Sequence, residues 1–79
     1  MEVGTVVCSS AGSDKDNLFV VVKNDGSKIY ISDGKRRKLA SPKAKNPKHL
    51  LKTDHRLNLE TVTTDKALRK ALATLRSNI

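Results

Sequence analysis

Four short apolar runs limit what this chain can fold into: residues 6–8 (Val-Val-Cys), 18–22 (Leu-Phe-Val-Val-Val), 29–31 (Ile-Tyr-Ile) and 50–51 (Leu-Leu). The first three are rich in β-branched and aromatic residues and are separated by turn-forming residues, so they read as strands. Val3 to Ser9 predicts the first strand, and residues 10–17 (SAGSDKDN) a polar loop in which Gly12 is best able to supply a positive φ. Leu18 to Lys23 is the strongest strand signal, and its near-continuous apolar character predicts burial on both faces, or one end covered by another element. Asn24-Asp25-Gly26 marks a hairpin. Lys28 to Ser32 predicts the returning strand, with Ile29 and Ile31 on one face and Tyr30 on the other.

Asp33-Gly34 is a second tight-turn signal. Beyond it, Arg36 to Ala40 predicts a short fourth strand anchored by Leu39. Pro42 and Pro47 bracket a loop that excludes a helix or a central strand. His49 to Thr53 predicts a closing fifth strand. About five short strands at roughly 8–12-residue intervals indicate a small barrel or sandwich, and a closed barrel has the advantage of removing exposed strand edges.

The last third has a different period. Thr64 is a good N-cap, and Asp65 at the first helical position suits the helix dipole. Leu68, Leu72 and Leu75 follow at helical spacing, widened by Ala67 and Ala71. Arg69, Lys70 and Arg76 lie off that stripe and can extend a basic surface. A helix this short is marginal alone in water, so its leucines are expected to pack on the barrel. The 79 residues therefore predict one mainly β domain: a barrel over 1–55, a linker over 56–63, and an amphipathic helix over 64–79.

Charge is distributed unevenly. Residues 35–52 (KRRKLASPKAKNPKHLLK) hold eight of the sixteen Lys and Arg residues and none of the eight Asp and Glu. The rest of the chain is neutral, so the whole formal +8 arises in this strip. Concentrated like charge of this kind points to a polyanionic partner. Only two aromatics, Phe19 and Tyr30, are present. Base stacking on a single strand then has little platform, and recognition of RNA shape and backbone is the better expectation. Tyr30 reads as a half-exposed strand residue rather than a stacking platform.

Other chemistries find little support. Cys8 lies in an apolar strand and reads as a small core thiol. A single cysteine excludes an internal disulfide and fits a reducing compartment. No apolar run approaches membrane-spanning length, and Glu2 with no basic region argues against a secretory signal, so a cytoplasmic monomer away from membranes is expected. His49 and His55 lack partners at ligand spacing, so no metal is expected, and His49 reads instead as a phosphate contact. No nucleophile elbow, phosphate-cradling glycine loop or carboxylate pair is present, which predicts a protein that is not an enzyme and uses no cofactor.

Three pieces of the sequence resemble the short bacterial KOW-domain RNA-binding proteins, relatives of the KOW-type large-subunit ribosomal proteins of archaea and eukaryotes. Residues 4–22 (GTVVCSSAGSDKDNLFVVV) are similar to the KOW signature of strand, glycine-bearing loop and strand. Residues 30–39 (YISDGKRRKL) are similar to the family's strand, Asp-Gly turn and basic continuation. Residues 42–51 (PKAKNPKHLL) are similar to its Pro-Lys-x-Lys loop and Lys-His-Leu strand. The first loop departs from the pattern, with Asp14-Lys15-Asp16 where related sequences commonly read Asp-Lys-Gly.

The resemblance implies an SH3-like (KOW) β-barrel and binding to structured RNA, ribosomal RNA foremost. The expected RNA-binding residues are Lys35, Arg36, Arg37, Lys38, Lys43, Lys45, Lys48 and His49, with Lys15 from the first loop. Gly12, Ser13 and Asp14 form the KOW loop, and Ser10 and Ser13 are further candidates for contact with RNA or a protein. The strip is expected to display its cations on one face, on two strands and a stiff loop. A ribosome-associated role is the leading expectation. The alternatives are a protein-interaction adaptor on a transcription or translation factor, and a binder of duplex DNA or anionic lipid.

Overall fold

The chain is mainly β in a computed structural model that describes residues 1–10 and 17–77. Its elements are β1 (Thr5–Ser9), β2 (Leu18–Asn24), β3 (Ile29–Ser32), β4 (Lys43–Lys45), a single 3₁₀ turn (Pro47–His49), β5 (Leu50–Arg56) and α1 (Asp65–Ser77). The strands make one sheet in the order β4-β3-β2-β1-β5. Every neighbouring pair is antiparallel.

Alternation along the strands builds a core on each side of this sheet. Val7, Phe19, Val21, Ile29, Ile31 and Leu50 form the first core, with Met1 against it. Val6, Leu18, Val20, Leu68 and Leu72 form the second, flanked by Cys8, Val22, Leu39 and Leu75 among others. The apolar run of β2 is thus buried on both faces, one of the two arrangements its composition predicts.

The sheet curls into a small β-barrel-like fold. Leu50 of β5 shares the first core with Ile29 and Ile31 of β3, although β1 and β2 lie between those strands. Register shifts between Val21 and Lys23 and between Thr5 and Val7 assist the bending. Lys45 Nζ of β4 donates to Ser9 Oγ of β1 at 3.3 Å, which also links strands that are not neighbours in the sheet.

The fourth strand is at Lys43–Lys45, not at 36–40. Residues 33–37 cannot join a ladder because their polar groups bond one another. Asp33 Oδ1 accepts from the Lys35 and Arg37 amides. The Arg37 carbonyl accepts from the Asp33 and Gly34 amides and from Ser32 Oγ. Leu39 instead packs against the second core. Pro42 and Pro47 flank β4, and both are tolerated because it is an edge strand. Pro47 then opens the 3₁₀ turn, with Asn46 as its N-cap accepting from the Lys48 amide. β5 begins at Leu50 and runs on to Arg56, beyond the expected Thr53.

The helix forms where its caps and stripe predict. Thr64 Oγ1 accepts from the Ala67 amide at 3.1 Å. Leu68 and Leu72 are buried against the sheet.

Candidate nucleic-acid interface

The basic strip begins in the turn after β3, and the backbone bonds around Asp33 and Arg37 hold that turn as a compact unit. Three further contacts fasten it to the start of α1. Gly34, at φ 77, lies so close to the Asp65 carbonyl that a Cβ there would collide with it. Arg69 Nη1 donates to the Gly34 carbonyl at 2.7 Å. Asp65 Oδ1 accepts from the Leu39 amide at 2.8 Å. Lys35, Arg36 and Lys38 are exposed on this anchored turn, while Arg37 is half-buried.

The second part of the strip is carried by β4 and the 3₁₀ turn. In the register of the β3–β4 pair, Lys43 stands opposite Ile31 and Lys45 opposite Ile29. Directly paired residues share a sheet face, so both lysines belong to the side of the first core. Both are half-buried at the sheet edge. Lys48 and His49 are exposed on the 3₁₀ turn. Ser10 ties the first loop's start to that turn, since its amide and hydroxyl both donate to the His49 carbonyl, at 2.9 and 3.0 Å. Gly12, Ser13, Asp14 and Lys15 lie outside the described residues.

The expectation of one shared face is therefore corrected. Lys35 and Arg36 line a groove with Arg69 and Arg76 of α1, on the side of the second core. Lys43 and Lys45 belong to the side of the first core. The Asp33-centred turn is the cause, because it carries residues 33–39 off the sheet and onto the helix instead of extending them as a strand.

In the sequence, Asp65 reads only as a complement to the helix dipole. Its bond to the Leu39 amide crosses 26 positions, which no local pattern signals. Arg69 and Arg76 were legible only as cations off the leucine stripe. Their places beside Gly34 and Asn17 depend on how α1 packs.

The far end of the sheet carries a separate polar cluster. Asp25 Oδ1 accepts from the Lys28 and Ser27 amides and the Ser27 hydroxyl, and Tyr30 donates its hydroxyl to Oδ2. The Lys28 amide, then the Ser27 amide, hold the Asp25 carboxyl down at about 2. The hydrogen bond to Asp25 and that carboxylate's charge raise the Tyr30 hydroxyl above 10.0. Lys23 Nζ sits 5.3 Å from the Tyr30 ring centroid, occupying one ring face.

Among the described residues, no group of three or more His, Cys, Asp or Glu is placed to hold a metal ion. No helix among them is long and apolar enough to cross a membrane. No protein-family model matches the chain, and no curated protein matches its sequence.

Proposed function

We propose that this protein is a non-enzymatic RNA-binding module, a KOW-type SH3-like barrel that docks on structured RNA, ribosomal RNA foremost. The observation that carries the reading is the concentration of the entire formal +8 in residues 35–52. Backbone-held segments present that charge: a turn fastened to α1, an edge strand and a 3₁₀ turn. Ordering these cations before binding lowers the entropy lost on docking. Lys35, Arg36, Lys38, Lys43, Lys45, Lys48 and His49 supply phosphate contacts; Arg36 can fork onto phosphate oxygens and the lysines act as point charges. The three KOW-like pieces of the sequence, residues 4–22, 30–39 and 42–51, are the basis for the family part of this reading.

The test is binding of a structured ribosomal RNA fragment at several salt concentrations. The wild type should bind with an affinity that falls steeply with salt, and a variant with Arg36, Lys43 and Lys45 changed to Gln should lose most of it while keeping its circular dichroism spectrum. Salt-insensitive or absent binding by the wild type at low salt would sink the reading. A second reading, the protein-interaction adaptor, is favoured by one observation: Leu51 is 57% exposed on the edge strand β5. An adaptor contact through that edge would survive the three Gln substitutions and be lost on Leu51→Glu.

A further inference from the structure

The groove between the 33–36 turn and α1 has a volume of about 580 Å³. Volumes of about 300–1,000 Å³ are usual for sites that enclose small ligands or single ligand units. Its walls carry four cations, Lys35 and Arg36 from the turn and Arg69 and Arg76 from the helix. Leu18 and Leu72 of the second core, with Ala73, supply its apolar lining. The one carboxylate in the lining is Asp33, whose Oδ1 already accepts two backbone amides of the turn.

The cations are positioned to different degrees. Arg69 is held by its bond to the Gly34 carbonyl. Arg76 reaches Asn17 Oδ1 at 3.4 Å, a long bond from one nitrogen that a stronger acceptor can replace. A lining that combines four cations with apolar side chains suits a ligand that is anionic at one end and apolar elsewhere. A ribose phosphate with its base has that form: the phosphate takes the guanidinium forks, and the sugar and base lie over Leu18, Leu72 and Ala73.

We infer that this groove holds one phosphorylated nucleotide unit of the bound RNA, with Arg76 as a phosphate ligand and α1 as part of the interface. The inference rests on the RNA-binding reading and deepens it. α1 is then both a cover for the second core and a contact surface. Arg69 joins these roles, because it positions the basic turn while facing the groove.

The experiment compares two equal charge losses on one helix in the full chain. Arg76→Gln alters the groove; Lys70→Gln removes an exposed cation that does not line it. Arg76→Gln should weaken binding of the structured RNA by roughly fivefold or more and reduce the salt slope by about one. Lys70→Gln should stay within about twofold. Strong wild-type binding with equal effects of the two substitutions overturns the groove and leaves the RNA reading standing. Absence of salt-sensitive binding by the wild type overturns both. Adenosine monophosphate as competitor separates the two sources of a phosphorylated ribose. Displacement only in large excess over RNA fits a unit of a longer strand. Displacement at comparable concentration makes the groove a free-nucleotide site and overturns the RNA assignment.

Discussion

Two glycines with similar backbone angles carry different constraints. Gly26, at φ 93, has open space where a Cβ would go, so Gly26→Ala costs only the left-handed conformation, about 1–2 kcal/mol. Gly34, at φ 77, adds a collision with the Asp65 carbonyl to the same conformational cost. Gly34→Ala should therefore destabilise the protein clearly more than Gly26→Ala in paired urea unfolding curves. It should also shift the Leu39 and Arg69 resonances, because it forces the turn away from α1. Asp25 and Tyr30 give a second prediction at this scale. The folded Asp25 carboxyl titrates at about 2, below its ordinary 3.8, so its contribution to stability is present above about pH 4 and is lost as pH falls towards 2. Tyr30 is the only tyrosine, and its raised pKa favours the fold below 10.0 and ceases to do so as pH climbs through the folded value. Phenolate absorbance should thus titrate above 10 in the wild type and fall back towards 10.0 in Asp25→Asn. The same variant should lose this part of the acid sensitivity.

Among the elements, α1 is tied to the rest of the molecule by two kinds of contact. Leu68, with no exposed surface, and Leu72 bury the helix against β1 and β2. Leu68→Ala should cost about 2–5 kcal/mol, read from chemical unfolding, because a fully enclosed site leaves a cavity. The polar contacts at the helix start act on the basic turn instead. Asp65→Ala removes the acceptor for the Leu39 amide and should cost about 1–2 kcal/mol. Amide exchange at Leu39 should quicken in that variant while exchange in β2 changes little. β4 is the opposite kind of element. Its three residues, Lys-Ala-Lys, include none with strong strand propensity, and it exists because β3 presents an edge to pair with.

For the whole molecule, the two cation groups on opposite sides of the sheet predict a particular salt behaviour. About five to eight phosphate contacts give a slope of log affinity against log salt of roughly −4 to −7. Neutralising Lys35 and Arg36 should remove about two units of that slope, and neutralising Lys43 and Lys45 about two more. If the groups engage separate stretches of one folded RNA, the losses add in the fourfold variant. If only one side is used, one of the pairs leaves the slope unchanged, and an RNA-binding titration of the two double variants distinguishes these outcomes. Neutralising Lys35 and Arg36, both exposed, should leave the thermal unfolding temperature close to that of the wild type, whereas Lys45→Gln also removes the bond to Ser9 that links β4 to β1 and should lower it.

Local chemistry alone specifies much of this fold. Alternation and β-branching placed β1, β2 and β3; Asn24-Asp25-Gly26 and Asp33-Gly34 placed two turns; Thr64 and the leucine spacing placed α1. Each of these signals lies within a few positions of the structure it specifies. The net charge of residues 35–52 is likewise a plain count. Residues 36–40 leave the sheet for a reason that is itself local, since Asp33 accepts from the Lys35 and Arg37 amides, but the fastening of that turn onto α1 depends on the tertiary structure. The tertiary structure alone decided that Lys43–Lys45 becomes the edge strand, since pairing with β3 outweighs weak propensity. The division of the basic strip follows from contacts across 26 and 35 positions, Asp65 to Leu39 and Arg69 to Gly34. Such contacts depend on packing of the helix over the second core, and no periodicity in the chain encodes them.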